Sequence, residues 1–161
     1  PTSTPTRRRR SRPSASCRGL KNMELLTEAR ELIESGALGH LVTLNAAGSP
    51  QVSCVWVGVD DGQLVSGHLS ARQQKLRNVR RDPRVTLSFE GTSIHPPGLK
   101  EYLVVHGTAR IEPGGAPELL QRLARVYLGP DVKFPPMDDP PPGFVIRTTP
   151  ERLGGVGPWA G

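Results

Sequence analysis

The chain has 161 residues, 35% of them hydrophobic and 22% charged, with a net charge of +6. Of its 21 basic residues seven fall within residues 1–22, which hold no acid, so the remainder carries 14 basic against 15 acidic side chains. The basic excess is therefore local and is no argument for a nucleic-acid surface on the rest; no apolar run approaches the roughly 20 residues that would span a bilayer, and two cysteines, Cys17 and Cys54, exclude a disulfide framework.

Length allows one domain with a real core. Residues 1–22 are rich in Pro, Ser, Thr and Arg and too poor in apolar residues to offset their ordering entropy. With no apolar h-region they are not a secretory signal. A disordered basic tail, a transit-like segment and a stretch upstream of the natural start compete as readings; Met23, directly before the first helical pattern, favours the last. The expected division is a tail, 1–22, and a folded domain, 23–161. Two lone cysteines fit a reducing, cytoplasmic setting.

Leu25, Leu26, Ala29, Leu32 and Ile33 recur at helical spacing, with Asn22 or Thr27 as candidate caps and Gly36 as stop. A strand is expected at Gly39–Leu44, then a long one at Gln51–Val59, then Gln63–Gly67 after a tight Asp60-Asp61-Gly62 turn. A helix over Ala71–Arg81 follows, with Ser70 and Gln73 spaced as a capping box and Asp82-Pro83 as its end. Strand Val85–Glu90, an irregular loop GTSIHPPGL and strand Tyr102–Glu112 come next. A helix at Glu118–Leu128, a Gly129–Gly143 loop with six prolines, a strand at Phe144–Thr148 and an extended Leu153–Trp159 complete the chain. Six short antiparallel strands with flanking helices predict a mostly β fold, a small closed or nearly closed barrel. No GxGxxG opens a helix after a strand, which argues against a Rossmann site.

The stretch Ser49–Arg81 carries the functional signal. Gln51, Ser53 and Trp56 stand among β-branched residues, as on a strand lining a pocket for a flat ligand. Arg72 and Lys75 fall in the first turns of the basic helix, where a helix N-terminus already favours anions. On a helical projection Lys75 and Asn78 share one flank beside the apolar Leu76/Val79 stripe. A wall for a planar ring beside a socket for phosphate outlines a nucleotide-type cofactor site.

The pieces GSPQVSCVW, RQQKLRNVRRDPR and the ending RTTPERLGGVGPW, in this order, resemble the pyridoxamine 5′-phosphate oxidase-like superfamily. Within it the match is to the actinobacterial group of oxidoreductases that use the deazaflavin coenzyme F420. The resemblance spans about residues 24–159. It implies a six-stranded antiparallel split β-barrel (the FMN-binding split barrel), a homodimer, and a cofactor in the groove between subunits. Carried over residue by residue, it implies that Gln51, Ser53, Val55 and Trp56 flank the ring system, that Arg72, Lys75 and Asn78 hold the phosphate, and that Pro158 and Trp159 close the groove. Arg80 and Arg147 would suit the long anionic tail of F420.

Each residue has a plainer reading. A basic helix is most often a solvated face, as expected for Arg77 and Arg81; Trp56 and Trp159 could be packing aromatics. His40, His68, His95 and His106 lack metal-ligand spacing, though His68, two residues before the helix cap, could touch a phosphate. No nucleophile or paired carboxylates can be argued from spacing, which agrees with chemistry carried by a coenzyme. The expectation is hydride transfer from reduced F420 to an unsaturated or conjugated small molecule. Its rivals are an FMN-dependent oxidase or reductase of the same fold and a non-catalytic binder of flavin, deazaflavin or tetrapyrrole.

Overall fold

The computed structural model describes residues 23–160, and the expectations for residues 1–22 lie outside them. Helix α1 runs Thr27–Glu34, and Ser35 ends it before Gly36 in the left-handed region. Its start is Leu26, without a side-chain cap, rather than Asn22 or Thr27. Strands β1 (Gly39–Leu44), β2 (Pro50–Val55), β3 (Gly58–Asp60) and β4 (Gln63–His68) follow. Asp61 (φ 50) and Gly62 (φ 71) make the β3–β4 turn, the two positive-φ positions that a tight two-residue hairpin requires.

Helix α2 is Gln74–Arg81, shorter than the expected Ala71–Arg81. The capping box does not form. Ser70 Oγ instead accepts from the Arg72 amide at 3.3 Å, and Gln73 is the extended N-cap with no side-chain cap bond. Asp82 is extended at the other end, as its proline neighbour demands. Strands β5 (Arg84–His95) and β6 (Leu99–Pro113) absorb most of the expected GTSIHPPGL loop into a long hairpin, with a register shift between Glu90 and Ile94. Helix α3 (Ala116–Tyr127) precedes β7 (Phe144–Val156), which joins the two final extended pieces into one strand.

All pairings are antiparallel, in the order β2-β1-β5-β6-β7-β4-β3. β2 and β3 are consecutive in the chain yet lie at opposite edges of the sheet. Val55 and Gly58 can stand no more than about 11 Å apart along the chain, so the sheet must roll until its two edges meet. They meet without pairing, which is a split barrel. The same requirement breaks the expected Gln51–Val59 strand at Trp56-Val57, giving seven strands where six were predicted.

Inward positions alternate with outward ones: Gly39, Leu41 and Thr43 on β1, Val85, Leu87 and Phe89 on β5, Leu103 and Val105 on β6. Leu41, Val85, Leu87, Phe89, Leu103 and Val105 form the main core with Ile33, Leu64, Leu76, Ile146 and Trp159. α2 packs on β1 and β6, α1 on β3 and β5, and α3 on β4. α3 lies close because Gly58 and Gly67 face it; a Cβ on either would come within 2.9 Å of Leu123 or Leu120.

Candidate cofactor site

α2 contributes Lys75, Arg77, Arg80 and Arg81, and its first turn holds no acid. The leading N–H groups of a helix have no intrahelical acceptor, and the macrodipole makes this end partly positive. α1 and α3 carry Glu28 and Glu118 in this turn; α2 leaves it open. Lys75 is half-buried, and burial holds its ammonium below the usual lysine value. Among the described residues it pairs with no carboxylate. Arg72 is exposed in the turn before the helix, its carbonyl accepting from Arg77 at 2.9 Å.

His68, at the end of β4, is 4% exposed and 2.8 Å from Ser66 Oγ through Nε2. Burial and then the nearby Lys75 charge lower its pKa from 6.5 to about 3, against a smaller raising effect of Gln73. Its imidazole therefore stays neutral and adds no second charge beside Lys75. Gln73 Oε1 is buried without a hydrogen-bond partner among the described residues.

Asn78 is fully buried, not on an open flank with Lys75. Its Nδ2 donates to Thr43 Oγ1 (3.0 Å), Asn45 Oδ1 (3.0 Å) and Gln51 Oε1 (3.2 Å), and its Oδ1 accepts from Gln74 (2.9 Å) and Arg81 (3.1 Å). Thus α2 is tied to β1 and β2 at the level of Gln51. Ser53 and Val55 continue the same inward face of β2, opposite Leu41 and Gly39. Sequence reasoning missed Thr43 and Asn45; the only signal was a threonine at an inward strand position.

The other residues expected at the site go elsewhere within the chain. Trp56 bridges the sheet edges, stacked on Tyr127 (5.3 Å, 10°) and tilted against Phe134 (4.9 Å). Trp159 is 5% exposed in the main core and donates Nε1–H to Tyr102 O at 3.0 Å. With the exposed Pro158 it borders a cavity shared with Glu28, Glu31 and Leu32 of α1, and no residue of α2 lines that cavity. Arg147 is held beneath α3 by Asp60 (2.9 Å) and Glu112 (3.2 Å). Arg80 lies 5.1 Å over the Phe144 ring, beside a cavity of ≈ 460 Å³ lined also by Val79, Ala109 and Ile111.

A rolled antiparallel sheet, open between β2 and β3 and carrying a cationic helix against β1 and β6, defines a split-barrel protein with an anion-ready flank. A family model described as pyridoxamine 5′-phosphate oxidase matches residues 25–157, and the chain belongs to that family. Among solved structures it is similar to an F420 reductase: 28% identity over 78% of this chain and 94% of that one, TM-score 0.61. It is also similar to the conserved hypothetical protein Rv2991 from Mycobacterium tuberculosis, at 26% identity over 84% and 86%, TM-score 0.63. HupZ of Group A Streptococcus, at 19% identity over 84% and 98% with TM-score 0.57, shares the fold. Among curated proteins none matches the chain. These similarities place the chain in a family of flavin- or deazaflavin-binding oxidoreductases. Among the described residues no helix is long and apolar enough to cross a membrane, and no group of metal-ligating side chains occurs.

Proposed function

We propose that this chain is an oxidoreductase that binds the deazaflavin coenzyme F420 and reduces an unsaturated or conjugated small molecule. The observation that carries this reading is Lys75: half-buried, without a carboxylate partner among the described residues, at the start of an acid-free helix. Holding an unpaired ammonium away from water is unfavourable in the free protein, and a phosphate would reverse that cost. The residues present fit such a group, since Arg72, Lys75 and the leading amides of α2 are all donors. Similarity to an F420 reductase supports the deazaflavin over other phosphorylated cofactors.

When bound, reduced F420 supplies the hydride. The chain's own residues anchor and orient. Lys75 and Arg72 neutralise the phosphate, while Gln51 and Ser53 offer polar contacts along the ring edge beside Val55. Neutral His68 adds no third cation beside Lys75 and Arg72. Catalysis in this reading is placement at near-attack distance.

The same reading includes a cytoplasmic homodimer that builds the groove from two copies. In support, β2 is an edge strand whose outward Pro50, Val52 and Cys54 are exposed, Val52 at 60%. Such a patch suits a two-fold partner.

Fluorescence titration with F420 and with FMN tests the assignment. The expected result is micromolar F420 binding and much weaker FMN binding. The reverse order would make the protein an FMN enzyme on the same barrel.

A further inference from the structure

The amides around Asn78 have one self-consistent arrangement. Which end of a carboxamide is oxygen is usually an assignment from its neighbours, and here the neighbours include an obligate donor. The Arg81 guanidinium has no acceptor capacity and lies 3.1 Å from Asn78 Oδ1. That contact turns Asn78 Nδ2 toward the barrel wall. Nδ2 is itself a pure donor, with two hydrogens shared among Thr43 Oγ1, Asn45 Oδ1 and Gln51 Oε1. The flanking amides agree. Asn45, its oxygen committed, gives Nδ2 to Ser49 Oγ at 3.1 Å. Gln74 gives Nε2 to Asn78 and keeps Oε1 for Arg77, a second obligate donor. A polarity set by two arginines thus runs through Asn78 to the inward face of β2.

Its consequence falls on Gln51. With Oε1 held by Asn78, Nε2 faces away; it has no partner among the described residues and is not buried. A side chain able to accept or donate is held as a donor of two hydrogens. Carbonyl oxygens answer such a donor, and a ring N–H edge does not. We infer that Asn78 is a positioning residue that locks Gln51 as a donor, so that the site selects a ligand ring with a carbonyl edge. This rests on the reading of the α2 flank as a cofactor site.

The test uses the full chain, titrated by fluorescence with F420 and FMN and by calorimetry with ribose 5-phosphate as a phosphate-only probe. Gln51→Ala should weaken F420 binding about tenfold, the scale of one net hydrogen bond, and leave the phosphate probe unchanged. Gln51→Glu keeps the acceptor for Asn78 but turns a carboxylate outward, so its loss should be at least as large. Asn78→Asp keeps an acceptor for Arg81 but presents an acceptor to Gln51, reversing its amide. It should match Gln51→Ala, and combining the two should cost nothing further. Losses that add, or that extend to ribose 5-phosphate, would mean Asn78 only holds the fold. Wild-type affinity in Gln51→Glu overturns the inference outright. If Asn78→Asp does not fold, the two Gln51 variants decide the matter. Failure of the wild-type chain to bind either cofactor would sink the functional reading and this inference with it; binding by wild type with silent Gln51 variants sinks the inference alone.

Discussion

Replacing Lys75 by methionine should move stability and binding in opposite directions. Burial lowers the lysine's pKa in the fold, so the native state disfavours the charged form. The charge therefore costs stability at every pH below the folded pKa, and the cost is relieved as pH rises through that value. Lys75→Met removes an unpaired ammonium while keeping the stem that packs beside Leu76. Because the side chain is only half-buried, solvent screening limits the gain to about 0.5–1 kcal/mol. Binding should suffer more. A charge-assisted hydrogen bond to phosphate is worth about 1.5–3 kcal/mol, roughly 10- to 150-fold in Kd. Thermal melts of the free chain and fluorescence titration with F420 measure the two effects. The melting point should rise in the free variant, and the further rise that cofactor gives the wild type by mass action should shrink. A melting point and a dissociation constant both unchanged would mean that α2 presents only a solvated face, and the anion socket would not exist.

His68 yields a pH test: its pKa is lowered from 6.5 to about 3, so folding excludes a proton that the unfolded chain takes up below about 6.5. Stability from this group is full above that value and lost as pH falls toward 3, by at most about 1.4 kcal/mol per pH unit; His68→Gln should flatten the decline between pH 6 and pH 4, and superimposable profiles would refute the assignment. Tyr127 donates to Ala37 O at 2.8 Å and accepts from the Val57 amide at 3.0 Å. Tyr127→Phe should cost about 1–3 kcal/mol in denaturant melts by orphaning both backbone groups, and an unaltered midpoint would show that water replaces the hydroxyl freely. Sedimentation at several concentrations, with and without F420, should show cofactor favouring the dimer; a monomer binding at full affinity would remove the shared groove.

What the sequence made legible, and what it did not, follows from how local each determinant is. Gly39–Leu44 was readable because its alternation is set by adjacent residues, and the Asp61-Gly62 turn because its backbone demands positive φ. The break at Trp56-Val57 was not, since β-branched residues continue through it and only the meeting of two sheet edges requires it. The capping-box spacing of Ser70 and Gln73 was present but unused, because the chain turns there before α2 begins. Trp56 and Trp159 were expected beside the cofactor, with packing as the plainer reading; what covers them, Tyr127 and Phe134 for one and the barrel core for the other, is far away in the chain and could not be read locally.

Asn78 shows the limit most sharply, and it also separates stability from function within one helix. Projection put it beside Lys75, yet its burial depends on Thr43, Asn45 and Gln51, which lie 27 to 35 residues earlier. Both α2 residues carry polar groups withdrawn from water. Asn78 meets five partners and is satisfied without any ligand, so its truncation would leave several buried groups unpaired. Among the described residues Lys75 pairs with no carboxylate. A fold that satisfies one buried amide so completely can satisfy its neighbours too. On the proposed reading, the ammonium left without a carboxylate among the described residues, one turn away, is where an external anion would bind, and Lys75 is favoured for the cofactor's charged end over the equally basic Arg77 and Arg81, whose guanidinium groups already have protein acceptors.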